Sequence, residues 1–202
     1  QAASIRLQGP SAAHWFGTDQ FGRDVFSRVA AGVANTTQIA AVAVGVAALV
    51  GTLLGVIAGF YLKGPDAIIS GVTNVLFAFP PLLLALSLTS VMDRNWFTVA
   101  VAIAIVYIPI FIRVARGPVL SLRNIEYVRA AVSTGQSRMA ITMRHVLPNI
   151  TSIIIVQVSL SLSWAVLTEA SLSFLGLGNP PPAPSLGSMI YEARTHVSVA
   201  PW

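Results

Sequence analysis

Long uncharged stretches alternate with short polar ones along this chain. No charged residue occurs between Arg28 and Lys63, and residues 38–61 within that gap are apolar enough to cross a bilayer. A hydrocarbon core needs about 20 apolar residues in a helix. After a Gly64-Pro65-Asp66 turn, residues 67–92 form a second such run, 96–112 a third and 150–168 a fourth. The pattern therefore predicts four spans at about 38–61, 67–92, 96–112 and 150–168. Residues 1–36 precede the first, and a Gly/Pro-rich segment at 169–202 follows the last.

Residues 113–149 break this rhythm. Leu122, Ile125, Val128 and Val132 recur at helical spacing, while Arg123, Glu126, Arg129 and Ser133 gather on the other side. That spacing predicts an amphipathic helix of about four turns. Gly135 stops it, because glycine readily takes the left-handed conformation past a helix end. Ser137 can cap a second short helix, in which Met139, Met143 and Val146 share a face opposite Arg144 and His145. Pro148 fits the first turn of the next span. The segment 113–149 thus reads as a two-helix elbow, with small Ala130 and Ala131 allowing close approach. Its apolar face can lie on the bundle or fill a groove in a partner, and a solvated connector fits the pattern equally well.

Composition and charge sharpen this picture. The chain is 55% hydrophobic and 9% charged, against about a quarter charged in soluble domains, and its mean hydropathy is +0.76. The net charge of +5 resides in residues 113–149, where Arg113, Arg116, Arg123, Arg129, Arg138 and Arg144 face Glu126 alone. Each arginine would cost about 2.5–3.5 kcal/mol at the bilayer centre, so the elbow is predicted to be cytoplasmic. Four spans then put both ends of the chain outside. Charge confined to one loop points to membrane topology and not to nucleic acid. Cysteine is absent, which excludes disulfides and thiolate metal sites. No signal peptide is visible, and the abrupt ends predict a piece of a longer protein.

Within the spans, Gly51, Gly55 and Gly59 form small-xxx-small steps that let another helix approach closely. Bundle packing and a dimer contact are both open. Pro80-Pro81 interrupts the second span, as a kink or as a hinge. Gln157, Ser161, Trp164 and Thr168 draw a mildly polar stripe along the fourth span. It is a candidate substrate path or a seam of interhelical hydrogen bonds. Glu169 follows at the predicted outer mouth, to meet a peptide amine or simply be hydrated. The run 176–187 is expected to be an ordered external or re-entrant turn. His14, His145 and His196 are isolated, and no phosphate-binding loop, HExxH or GxSxG motif occurs. A non-catalytic chain that binds no metal or cofactor of its own is expected.

Three segments resemble a known family. Glu126, Ala130-Ala131, Gly135 and Leu147-Pro148 look like the EAA loop of bacterial ABC-importer permeases. His145 stands where the family pattern has Ile, as is common in the peptide-importer branch. Gly17-Thr-Asp-Gln-Phe-Gly-Arg-Asp24 is similar to the segment after the first span of dipeptide/oligopeptide permeases. Ser173-Phe-Leu-Gly-Leu-Gly-Asn-Pro-Pro-Pro-Ala-Pro-Ser185 resembles their segment between the last two spans, with Leu186 where they usually have Trp.

The resemblance implies an all-α, polytopic transmembrane bundle in the bacterial inner membrane. By this resemblance it would be the type I permease core of an ABC importer, with four of the expected six spans seen here. ATP and Mg would be held by two cytoplasmic ATPase subunits that dock on the elbow at 119–147. Glu126 and Arg129 would make polar contacts there, Gly135 the turn, and Met139 and Met143 adaptable apolar contacts, with Ala130, Ala131, His145 and Pro148 in the same element. A homologous second permease, an external substrate-binding protein and membrane lipid complete the expected partners. The cargo class is peptide, leaving open dipeptide, oligopeptide, glutathione-like peptide or nickel chelate. From the residues alone, a secondary transporter or channel using the same stripe competes. An intramembrane enzyme is disfavoured by the lack of intramembrane Asp or His.

Overall fold

The first helix begins well before the hydropathy suggests. In the computed structural model, which describes residues 5–202, the Asp24 side chain accepts from the Ser27 amide (2.8 Å) and starts α1, Val25–Tyr61. Residues 25–36, assigned from the sequence to the segment before the span, are therefore helical. The 37 residues of α1 reach about 55 Å, well beyond a hydrocarbon core of about 30 Å. The helix can run past the apolar zone because its outer turns are capped at Asp24 and packed on other parts of the chain.

Helix α2, Lys63–Phe77, follows after Leu62 alone, so Gly64-Pro65-Asp66 lies inside its first turn and does not form a turn between spans. Leu62 and Lys63 make the reversal with φ of 51° and 50°. Helix α3, Pro81–Val91, meets α2 at 92°. The run 67–92 is thus a broken pair, not one kinked span. Each proline drives the residue before it out of the helical region, and Pro80 itself is extended at ψ 131°. Neither ring offers an N–H to carry the ladder across.

Helix α4, Trp96–Leu122, is capped by Asn95, whose side chain accepts from the Thr98 amide (2.9 Å). It continues ten residues beyond the predicted end at 112, which removes Arg113 and Arg116 from the loop. The remaining elements are α5, Glu126–Ser133; α6, Arg138–Ile141; a π-helical segment, Thr142–Val146; α7, Leu147–Phe174; and α8, Leu186–Ala193. The described residues contain no β-strand, as the all-α expectation requires. Three stretches are long and apolar enough to cross a membrane: α1, α4 and the continuous path 138–174. The α2–α3 pair makes a fourth if counted as one broken span.

Gly51, Gly55 and Gly59 face α4. A Cβ on Gly51 would lie 2.5 Å from Phe111 Cβ, one on Gly55 2.5 Å from the Ile112 carbonyl oxygen, and one on Gly59 2.9 Å from Val119 Cβ. The partners climb in step with the glycines, so α1 and α4 run parallel, backbone against backbone. Their N-terminal halves join α7 around Ile39, Val44, Ile103, Phe111, Ala165 and Leu172. At the other end a second core joins Val56, Ala115 and Val119 to Val128, Ala131, Ile141 and Val146 of the elbow.

Candidate functional site

The elbow is built from a short helix and a stop. Helix α5 covers only eight residues, because Leu122 belongs to α4 and Arg123–Asn124 turn the chain. The predicted four-turn helix is thus split between two elements. Past α5, Gly135 has φ 77°, its amide bonds the Val132 carbonyl (3.0 Å), and the Gln136 amide bonds that of Ala131 (3.2 Å). That pair of bonds is the Schellman stop, and it needs the left-handed residue glycine supplies. The Ser137 hydroxyl then accepts from the Ala140 amide (3.2 Å) and opens α6.

The second helix of the elbow is not separate. It passes through the π segment directly into α7, where Pro148 occupies the first turn. Pro148 has no N–H, and the Leu147 amide reaches back to the Thr142 carbonyl, five residues away. The wider turn changes the register. Val146 is fully buried, whereas Met139 and Met143 are exposed, so these three do not share a face as the spacing predicts. Val128 and Ala131 pack on the bundle, while Glu126, Arg129, Ala130 and Gly135 are exposed and Pro148 lies on the surface. Glu126 and Arg129 form no ion pair among the described residues. His145 is half-buried beside Tyr127, with ring centroids 6.0 Å apart, and the Asn149 amide donates to the His145 carbonyl (2.6 Å). Tyr127, absent from the sequence-based set, thus ties α5 to the π segment.

Between α3, α4 and α7 lies a cavity of about 460 Å³ that gathers Gln157, Ser161, Trp164 and Thr168 with Tyr107 and Pro81. The Gln157 side chain donates to the Ser161 hydroxyl (3.0 Å), and the Tyr107 and Thr168 hydroxyls are 3.2 Å apart. Trp164 is 65% exposed. All the lining side chains are uncharged, so the wall can hydrogen-bond and stack but offers no fixed charge. Tyr107 was missed because its neighbours on α4 are uniformly apolar; only its own hydroxyl marks it.

Glu169 is not at a mouth. It is fully buried on the face of α7 that also buries Ala165 and Leu172, with Oε1 accepting from the Ser173 hydroxyl (2.6 Å) and Oε2 without a partner among the described residues. The predicted hydration or amine contact is excluded in this arrangement, because the chain folds back over this side of α7. A Cβ on Gly178 would collide with Ser173, and one on Gly187 with the Ala170 carbonyl. Within the run 176–187, residues 176–185 are irregular and 186–187 already open α8, with the Asn35 side-chain amide donating to the Pro184 carbonyl (2.9 Å). Residues 169–174, which the sequence placed in the trailing segment, still belong to α7.

The segment Gly17–Asp24 and α8 close a polar cap over the start of α1. Asp19 accepts from the amides of Phe21 (2.8 Å) and Arg23 (2.9 Å) and from the Arg23 guanidinium (2.6 Å). Glu192 of α8 receives Arg23 (2.9 Å) and Arg28 (3.1 Å). Burial pushes the Asp19 carboxyl up, but the bonds from Arg23 and Phe21 outweigh it and hold the group below its ordinary value. Asp24 is held low by the Ser27 hydroxyl and amide and by His14.

The family described as the binding-protein-dependent transport system inner membrane component matches residues 51–200. A dipeptide transport system permease protein of Alkalihalophilus pseudofirmus is 44% identical over 199 residues, covering 98% of this chain and 66% of that protein. A glutathione transport system permease protein of Pectobacterium atrosepticum is 43% identical over 194 residues, covering 96% of this chain and 64% of that one. The chain thus spans only part of the length of these curated relatives. An inward-facing structure of the MetNI methionine ABC transporter superposes with a TM-score of 0.67 at 17% identity, covering 83% of this chain and 81% of that one. At that identity the likeness concerns the fold.

Proposed function

The chain belongs to the family of binding-protein-dependent transport system inner membrane components, and on that premise we propose that it is the permease subunit of an ATP-driven importer of peptides. It is a multi-pass membrane protein that does no chemistry itself. Two cytoplasmic ATPase subunits hold ATP and Mg and dock on the elbow through Glu126, Arg129, Met139 and Met143. A homologous permease supplies the other half of the path, and an external binding protein delivers the cargo. The elbow faces the cytoplasm, and the cap at Asp19 and Glu192 faces outside.

The observation that carries this reading is the cavity between α3, α4 and α7. Its volume of about 460 Å³ lies in the range of about 300–1,000 Å³ usual for small-molecule sites. The helical path 138–174 runs from the exposed methionines of the elbow to the wall that carries Gln157, Ser161 and Trp164. Movement imposed on the elbow therefore reaches the cavity through one rod. ATP drives such a cycle only if it binds one of two global states better than the other. An uncharged, hydrogen-bonding wall suits zwitterionic peptides that must pass without being trapped by a counter-charge. The dipeptide and glutathione permeases among the relatives support the same cargo class.

The test is to purify the intact complex, identify its subunits by mass spectrometry, and reconstitute it with its binding protein. ATP hydrolysis stimulated by binding protein and short peptide, together with ATP-dependent uptake, is the expected result. Uptake driven by an ion gradient without nucleotide, or a complex with no ATPase subunit, refutes it in favour of a secondary transporter or channel.

A further inference from the structure

Helix α2 is weakly packed, since among its described residues only Thr73 is buried. Ile68, Val72 and Val75 are exposed. What ties α2 to the bundle is polar. Arg116 of α4 forks onto Asp66, with Nε 2.6 Å from Oδ1 and Nη2 2.7 Å from Oδ2. One turn back on α4, Arg113 donates to Asn74 (3.1 Å) and lies over the Phe77 ring at 3.9 Å, about two and three turns further along α2. A planar bidentate pair fixes direction as well as distance. Ser70 donates to Asp66 Oδ1 (2.9 Å) and holds the carboxylate in place.

At its start α2 hangs from a strained joint. Leu62 has φ 51° and ψ −168°, and Lys63 has φ 50°, a backbone region that residues with a side chain rarely occupy. Arg116 sits between Ala115 and Val119, both wholly buried in the core shared with Val128, Ala131 and Val146 of the elbow. Just past the break that ends α2, Pro81 and Leu82 at the start of α3 form part of the cavity wall. One continuous set of contacts therefore runs from the elbow, through Arg116 and Asp66, to the cavity.

We propose that the Asp66–Arg116 pair is the positioning element that couples elbow displacement to the cavity wall, swinging α2 and α3 about the Leu62–Lys63 joint. The inference rests on the importer reading above and assigns roles to residues that neither bind cargo nor touch an ATPase. Packed cores shift as units, so a displaced elbow carries the end of α4 and Arg116 with it. The fork passes that motion to α2, which has little packing to resist it.

The test uses the complete transporter in proteoliposomes and reads cargo imported per ATP hydrolysed. The variants are Asp66→Asn, Arg116→Lys, and the exchange Asp66→Arg with Arg116→Asp. In Asp66→Asn, cargo per ATP is expected to fall about fivefold, the low end of measured coupling between sites, while hydrolysis persists. Arg116→Lys keeps the charge and stem but loses the fork, and gives a smaller fall. The exchanged pair recovers most of the ratio. A merely structural lesion lowers uptake and hydrolysis together and leaves the ratio unchanged, which overturns the proposal. An exchanged pair no better than Asp66→Asn overturns it too. If Asp66→Asn fails to assemble, Arg116→Lys decides by the same ratio. Loss of ATP-driven uptake in the unmodified complex refutes the importer reading itself, whereas a coupled parent with equally coupled variants refutes only the role of this pair.

Discussion

Two alanine substitutions on α1 separate close backbone packing from ordinary helix chemistry. A methyl group on Gly55 would sit 2.5 Å from the Ile112 carbonyl oxygen, 2.8 Å from Ala115 Cβ and 3.2 Å from the Arg116 amide nitrogen. Two of those atoms are backbone and cannot rotate away, so α4 itself must retreat. Overpacking of this kind costs about 1–3 kcal/mol. A methyl group on Gly45, ten residues earlier on the same helix, meets nothing within 4 Å. Both changes carry the same intrinsic helical gain, at most about 1 kcal/mol, which cancels in the comparison. Gly55→Ala is therefore expected to be less stable than Gly45→Ala by about 1–3 kcal/mol, at about 2–4 °C in Tm for each kcal/mol in a chain of this size. The assay is thermal unfolding in detergent or lipid nanodiscs, read by tryptophan fluorescence, because helices persist when a bundle comes apart in lipid. Equal melting of the two variants, or a higher value for Gly55→Ala, would refute the parallel α1–α4 contact.

Gly135→Val puts a β-branched residue at φ 77° and is expected to lose the Schellman stop, at a cost of about 1–2 kcal/mol for the left-handed conformation alone. ATP hydrolysis should then continue while uptake fails, and unchanged uptake counts against the elbow as a coupling element. Ser173→Ala removes the donor to Glu169 (2.6 Å) and is expected to destabilise by about 1–3 kcal/mol, since a buried acceptor is left unmade. Glu169→Gln, which keeps a carbonyl acceptor for Ser173, should cost less, and thermal unfolding of the two variants checks the order. Asp19 and Asp24 are both held below their ordinary values. The stability they contribute is thus fully present above the unfolded value of about 4 and is lost as pH falls through their folded values. Protection of residues 17–24 against hydrogen exchange, corrected for the intrinsic rate at each pH, should fall below that pH, and protection unchanged down to full protonation would contradict the pairing.

The sequence carried the spans through their lack of charge, but it misplaced their ends. Arg113 and Arg116 looked like a membrane boundary because a lone arginine is costly in lipid. In the folded chain Asp66, Asn74 and Phe77 meet them, so α4 continues. Asn74 is 39 positions from Arg113 and Asp66 is 50 from Arg116, beyond the reach of any local pattern. Gly135 was legible because a stop signal acts on its own neighbours. The π turn was not, since one wider turn leaves the composition intact while shifting every later side chain, and Met139 and Val146 part company there. The stripe from Gln157 to Thr168 could be read as a helical face, whereas Tyr107 and Pro81, which complete the cavity, come from other helices. Glu169 was misjudged because nothing near it announces that Gly178 returns to cover Ser173. Ser173, four residues on, was the available sign of a local partner.

The polar cap has a bearing on biogenesis. Its ion pair joins Arg23 to Glu192, residues 169 positions apart, so the two halves of the cap emerge from the ribosome at opposite ends of this stretch. Domains form from the N-terminal side during synthesis, so Arg23 and Arg28 share the single Asp19 carboxylate (2.6 and 3.5 Å) long before Glu192 joins them. Arg28 ends with only 12% of its side chain exposed, a position that is costly for an unanswered charge. The Asp24 end of α1 is therefore fully paired only once α8 has arrived.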